Sequence, residues 1–294
     1  MVARMSSGRK LFVGLNYLFL ITLSLLCILP LLNVFMISLS SKPAVTAGLV
    51  SFWPVGFTLD SYSFVLHKPE FFHAFGVSIE RVLLGVSLNM LLTVLIAYPL
   101  SKETDKFMGR TKYVWFFVFT MLFSGGLIPS YLIVNKLHLT DSIWALVLPG
   151  AVPIFNVILL LNFFRSLPKE LEEAAFIDGA GHWRVLWRIF VPLSKPSLAT
   201  ITLFVIVGHW NSWFDGLIYM NNSDGYPLSS YLQTVVVKLD ASIMQSVDVE
   251  KLANISNETN KAAQIFLASL PVLLVYPFLQ RFFISGIVMG SVKE

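Results

Sequence analysis

Two stretches of this chain place polar side chains where its surroundings are apolar. The first runs Glu172-Glu-Ala-Ala-Phe-Ile-Asp-Gly-Ala-Gly-His-Trp-Arg-Val-Leu-Trp-Arg-Ile-Phe-Val-Pro192. Its frame is Glu173-Ala174-Ala175, three residues, Gly179, nine residues, Ile189, one residue, Val191 and Pro192. This is the chemistry of recognition rather than of bond breaking: carboxylates, two small residues that let another surface come close, and a glycine that can reverse the chain. The second stretch, His209-Trp-Asn-Ser-Trp-Phe-Asp215, sets an imidazole, an amide, a carboxylate and two indoles within one otherwise apolar run. No P-loop is present. His67, His73, His138, His182 and His209 fall at different depths and make neither a metal cluster nor a catalytic set.

The elements that must position these groups are membrane spans. The 294 residues are 56% hydrophobic and only 13% charged, with mean hydropathy +0.74. A soluble domain carries about 25% charged residues. A spanning helix needs about 20 mostly apolar residues, and six segments qualify: roughly 11–38, 73–100, 112–134, 142–164, 197–220 and 262–285. Pro30, Pro149 and Pro153 mark kinks in the first and fourth. Proline inside a span is tolerated when neighbours re-satisfy the freed backbone. Ser124-Gly125-Gly126 before Pro129 marks a bend in the third. The basic N-terminus precedes an apolar run too long for a signal peptide and without a small-x-small cleavage site, so it reads as a retained first helix. The single cysteine, Cys27, is expected to be a buried small hydrophobe.

Lysine and arginine set the orientation. With the N-terminus inside, the inner segments hold most of the 21 basic residues, among them Arg9, Lys10, Lys102, Lys106, Arg110, Lys112, Arg165, Lys169, Arg184, Arg188 and Lys195. The outer set is Lys42, Lys68, Arg81, Lys136, Lys238, Lys251 and Lys261. Both termini should therefore be cytoplasmic, and the 165–195 loop with them. The outer loops are 39–72 and 221–261; the second carries a turn at Asn222-Ser-Asp-Gly225 and sequons from Asn254 to Thr259. The pI near 9.1 reflects this topology rather than nucleic-acid binding.

The 165–195 loop reads as a short helix-turn-helix. Ser166 can cap a helix whose first position is near Pro168. Glu170, Glu172 and Glu173 sit in its first turns, where carboxylates favour the positive helix end. Gly179 can take φ > 0 and stop it. A second helix over about 181–190 carries Trp183, Arg184, Trp187 and Arg188, and Pro192 breaks the chain before the fifth span. An ordinary interfacial loop anchored by Trp and Arg is the plainer alternative.

The frame resembles E-A-A-x3-G-x9-I-x-L-P, the cytoplasmic signature loop of the permease subunits of bacterial ABC importers; Val191 stands where Leu is usual. Leu167 to Ala175, Ile177 to Ala180, Trp183-Arg184, Trp210-Asn211 and Gly286 to Lys293 are similar to the carbohydrate-uptake branch, the last resembling the end of the maltose-type second permease. Phe123 to Tyr131 resembles the Gram-positive lipoprotein-linked and multiple-sugar permeases. The resemblance implies an all-α membrane protein with six transmembrane helices, the type I ABC importer permease fold, and a cytoplasmic coupling helix. The whole of 1–294 would be one permease domain. It implies a second, related permease, two ATP-binding subunits that hold ATP and Mg, and an extracellular, lipid-anchored solute-binding protein in a bacterial plasma membrane. No cofactor and no catalysis would belong to this chain. Glu172, Glu173, Ala174, Ala175, Asp178, Gly179, Ile189 and Pro192 would couple to the ATPase, and the C-terminal tail would reach between the two ATPases.

Polar residues inside a membrane mark functional sites by default. Ser124, Asn156, Trp210, Asn211, Trp213 and Asp215 are the candidate substrate-pathway residues, with indole faces and amides suited to a sugar. A charge near the bilayer centre costs about 2.5–3.5 kcal/mol on insertion scales, so Asp215 should face the bundle or the outer interface. Trp213 and Tyr219 also fit an interface belt, and Asn156 and Asn211 also fit helix-to-helix hydrogen bonds. An ABC permease for a non-sugar solute is the nearest rival. A secondary transporter would want inverted repeats and midplane coupling carboxylates, and a membrane enzyme a clustered catalytic set; the sequence displays neither.

Overall fold

The computed structural model describes residues 7–242 and 258–291. Every regular element among them is helical. The chain falls into two compact units, Met1–Pro69 with Thr234–Ser269, and Glu70–Gln233 with Leu270–Glu294.

In the first unit, α1 (Ser7–Ser38) is a continuous helix despite Pro30. Its apolar side chains, including Leu11, Phe12, Leu18, Phe19 and Leu26, are exposed along its length, as they must be if lipid tails rather than protein surround them. Cys27 is exposed too, so the expectation of a buried thiol fails. The segment expected as an outer loop holds α2 (Lys42–Thr46) and α3 (Asp60–Leu66). Ser38 Oγ lies 2.7 Å from the Tyr62 hydroxyl, and Ser61 Oγ donates to Thr259 Oγ1 at 2.9 Å. Phe35 stacks on Phe266 with ring centres 4.3 Å apart.

The second unit is built on α4 (Pro69–Ser101), 33 residues or about 50 Å of helix at 1.5 Å per residue. Next come α5 (Arg110–Leu122) and α6 (Leu127–Lys136), which meet at 110°. The bend lies at the predicted Ser124-Gly125-Gly126, with Gly126 at φ +90. The fourth expected span is not one helix. It is α7 (Ile143–Val147), a break through Pro149 and Pro153, and α8 (Ile154–Ser166). Two prolines four residues apart remove two backbone donors and push the residues before them out of the helical region. After the 165–195 loop come α12 and α13, given below, then α14 (Leu228–Ser242) and, beyond the undescribed stretch, α15 (Glu258–Ser291).

The six expected spans are not all unbroken helices. Among the described residues three helices are long and apolar enough to cross a membrane unbroken: Gly8–Ser38, Pro69–Ser101 and Glu258–Gln280. Two bent pairs add to these, and Ile154–Ser166 is apolar but short. The turn at Asn222–Gly225 is present as a 3-10 turn, Ser223–Gly225. Part of the sequon run, residues 254–257, lies outside the described residues, as do Arg4, Lys251 and Lys293.

The core of the second unit joins Val94, Ala97, Tyr98 and Leu100 of α4 to Val157, Leu160, Leu161 and Phe164 of α8. Val185, Leu186 and Phe190 from the loop complete it with Ile201 and Val205. The loop is thus packed into the bundle and not merely draped over it.

Candidate coupling loop and transport cavity

Leu167 and Pro168 are extended and separate α8 from α9 (Lys169–Ile177). Ser166 does not cap α9. It ends α8, and its Oγ donates back to the Phe163 carbonyl at 2.7 Å. The cap position belongs to Pro168, whose missing N–H costs nothing there. At the other end Gly179 has φ +77. Gly179 N–H donates to the Phe176 carbonyl at 3.0 Å and Ala180 N–H to the Ala175 carbonyl at 2.9 Å. This is a Schellman stop, and it needs the left-handed residue that glycine supplies.

The second helix starts with α10 (His182–Val185), widens into a π-turn over Leu186–Phe190, and ends as α11 (Val191–Leu193). Pro192 does not break the chain: it sits in the first turn of α11, where its lack of a donor is harmless. The break falls at Ser194, and α12 (Lys195–Asn211) leaves at 81°.

The eight expected coupling residues divide by face. Glu173, Ala174, Asp178, Gly179 and Pro192 are exposed. Ala175 and Ile189 are half-buried and pack against the core. Glu172 is buried and points the other way: its Oε1 lies 2.9 Å from Lys102 Nζ. The contact is electrostatic rather than a well-aligned hydrogen bond. The Tyr98 and Phe190 rings face the ammonium at 3.9 Å and 4.1 Å. One residue along, Glu103 pairs with Lys169. Lys169 and Glu172 share a face of α9, so two crossed ion pairs hold the helix against the segment following α4. Burial lowers the Lys102 pKa, and Glu172 opposes that shift. Two exposed apolar groups beside this face were not among the eight expected coupling residues: Ile177 at 86% and Trp183 at 67%. Their signal was present: apolar side chains in a polar loop.

A second locus lies within the same unit. A cavity of about 450 Å³ is lined from α4 by Arg81 and Asn89, from the α7–α8 break by Pro149 and Pro153, from α8 by Asn156 and from α12 by His209. Ser212 and Asp215 complete its polar lining. Asp215 belongs to α13 (Phe214–Tyr219), which the break at Ser212 and Trp213 separates from α12. Asp215 faces the bundle. Its carboxylate takes both terminal nitrogens of Arg81, Ser212 Oγ at 2.9 Å and the Gly216 N–H at 3.0 Å. Arg81 also donates to the carbonyls of Ser212 and Leu146. Arg81, counted with the outer-side cations in the sequence, is only 2% exposed and serves as a buried counter-ion.

Asn156 and Asp215 thus meet in one cavity. The other four pathway candidates lie elsewhere. Trp210 is buried, with its ring 5.6 Å from Phe75. Asn211 is exposed, and Trp213 is exposed against Phe214. Ser124 is exposed at the α5–α6 bend, where its Oγ accepts from Gly126 N–H at 3.3 Å. Neither Arg81 nor Asn89 was read as a cavity residue, because an isolated polar residue in an apolar run has no partner visible in the sequence.

Comparison with known proteins agrees with this architecture. Residues 1–289 match the model of the family described as binding-protein-dependent transport system inner membrane component. Protein LplC of Bacillus subtilis is 42% identical over 97% of this chain and 95% of its own. The polygalacturonan/rhamnogalacturonan transport system permease protein YtcP of the same organism is 39% identical over 97% and 99%. A chain from the crystal structure of a bacterial ABC transporter involved in the import of the acidic polysaccharide alginate superposes with TM-score 0.85, at 32% identity, over 96% of this chain and all of that one. The protein belongs to the family of inner membrane components of binding-protein-dependent transport systems, the permeases of ABC importers.

Proposed function

We propose that this chain is one of two permeases in an ATP-driven sugar importer, and that it transmits ATPase motion through the loop from Glu173 to Pro192. The observation that carries the coupling role is the division of α9 into two faces. Glu172 and Ala175 tie it to the bundle, while Glu173, Ala174, Asp178 and Gly179 stand free on one side. A helix rigidly tied on one face and open on the other can pass a displacement to the bundle. The sugar assignment rests on the relatives. YtcP is named for polygalacturonan and rhamnogalacturonan, and the superposed transporter for alginate.

In this reading the second permease is a related chain, and two ATP-binding subunits hold ATP and Mg. A lipid-anchored binding protein delivers the sugar from outside. Both termini are cytoplasmic, the bent pairs and the proline-broken α7–α8 segment complete six spans, and the chain itself catalyses nothing. ATP binding closes the ATPase dimer, α9 moves with it, and the bundle shifts toward its outward-open arrangement. Such a two-state element responds to a ligand only through differential affinity.

The test is ATP hydrolysis by the reconstituted transporter with loaded binding protein, comparing wild type with Gly179→Asp. The variant should insert in the membrane yet lose ATPase association or stimulation. Unchanged hydrolysis and transport would sink the coupling assignment and reopen the secondary-transporter reading.

A further inference from the structure

One face of α4 is polar through the middle of an apolar helix. Ser78, Arg81, Gly85, Asn89 and Thr93 recur three or four residues apart and all are buried. Polar groups persist at such depth only where protein or a water-filled cavity meets them. Ser78 is satisfied, since its Oγ accepts the Leu228 N–H at 2.7 Å. The terminal nitrogens of Arg81 are satisfied by Asp215 and two carbonyls. Arg81 Nε, Asn89 Oδ1 and Thr93 Oγ1 are not: all three are buried with no hydrogen-bond partner, but only Arg81 and Asn89, at 2% and 5% exposure, line the 450 Å³ cavity. Leaving such atoms unmet costs about 1–3 kcal/mol each. His209 adds a third group. Its ring lies against Gly85, where an added Cβ would overlap it, and its Nε2 is 3.4 Å from Asn89 Nδ2.

We propose that Arg81 Nε, Asn89 Oδ1 and His209 form a binding site for hydroxyl groups of the solute in transit, so that this chain itself reads the substrate. The inference rests on the transport reading above. Nε–H can only donate and Oδ1 can only accept. A hydroxyl group can meet either need, because it both donates and accepts; the two atoms, on residues two turns apart on α4, would take different hydroxyls. A carboxylate cannot serve Asn89, having no proton to give, and Asp215 already compensates the charge of Arg81. The volume suits a small part of an oligosaccharide, within the usual range of about 300–1,000 Å³ for ligand sites.

The experiment uses the full transporter in proteoliposomes, with its partner permease, ATPases and binding protein. The probe is a radiolabelled mixture of neutral di- to tetrasaccharides and uronate oligosaccharides. Asn89→Leu removes the acceptor at similar volume. Thr93→Val removes a buried hydroxyl one turn away that does not line the cavity. Asn89→Leu should lower the sugar moved per ATP hydrolysed by about tenfold, the worth of one hydrogen bond in a desolvated site. Hydrolysis stimulated by the binding protein should stay near the wild-type rate, and Thr93→Val should leave the ratio unchanged. An unchanged ratio in Asn89→Leu, or parallel losses of uptake and hydrolysis in both variants, would overturn the site. Impaired uptake of uronate sugars alone would overturn the hydroxyl assignment. No uptake and no stimulated hydrolysis in the wild type would count against the transport reading itself.

Discussion

Glu172 Oε1 lies 2.9 Å from Lys102 Nζ, and each side chain is about nine-tenths buried. Adjacent in sequence to Glu173, Glu172 nevertheless faces the bundle while Glu173 faces out. Neighbours on a helix point about 100° apart, so a doubled glutamate offers one carboxylate to each side.

Breaking this pair should be more harmful than removing it. Lys102→Met or Glu172→Leu alone strands a buried charge, at a cost of about 3 kcal/mol or more. The double variant should recover much of that loss. Thermal unfolding of the purified complex, read with ATPase stimulation in the same samples, checks both. Additive losses in the double variant would show that the two residues do not act as a pair.

Gly179 separates conformation from contact. Among the described residues, no atom outside its chain neighbours lies within 4 Å of the place a Cβ would take, so φ +77 is the constraint seen on the residue. Asparagine tolerates that region better than other side chains. Gly179→Asn should therefore leave the loop folded, with normal membrane insertion and an unaltered protease pattern, yet weaken recovery of the ATPase with the permease. Full recovery would mean that no partner surface approaches this position.

Arg81 and Asp215 should behave as one unit. Arg81→Met or Asp215→Leu alone leaves a buried partner unpaired and should reduce the amount of folded transporter sharply, by about 3 kcal/mol in stability. The combined Arg81→Met/Asp215→Leu variant should fold better than either. Size-exclusion yield of the three variants decides it, and a double variant no better than the worse single would refute the pairing.

Asp141 ties the segment before α7 to the segment after α13. Its carboxylate accepts the Asn221 N–H at 2.6 Å and the Asn221 side-chain amide. These hydrogen bonds hold its pKa below the ordinary carboxylate value of 3.8. A depressed pKa contributes stability that is present above the unfolded value and lost as pH falls through the folded one. The tie should thus survive mild acid and open only below about pH 4. Hydrogen exchange at the Asn221 amide across pH checks it, with Asp141→Ala losing protection at every pH. Asp141 has φ +58, so the alanine also strains the turn; Asp141→Asn, which tolerates that region, isolates the carboxylate's share.

The sequence by itself determined the membrane class, the chain reversal at Gly179 and the bend at Ser124 to Gly126. Each rests on local chemistry: apolar runs long enough for a bilayer, a glycine where the chain reverses at Gly179, and glycines before Pro129. Where neighbouring signals competed, local reading failed. Ser166 and Pro192 both carry features of a helix boundary, yet one ends the preceding helix and the other starts a turn. Partnership was decided only by the tertiary structure. Arg81 and Asp215 are 134 positions apart, Lys102 and Glu172 lie on different elements, and Asn89 gains meaning only once His209 and the cavity stand beside it. Hydrophobic periodicity says which face of a helix is buried. It does not say which other helix will meet that face, because that depends on packing across the whole bundle at once.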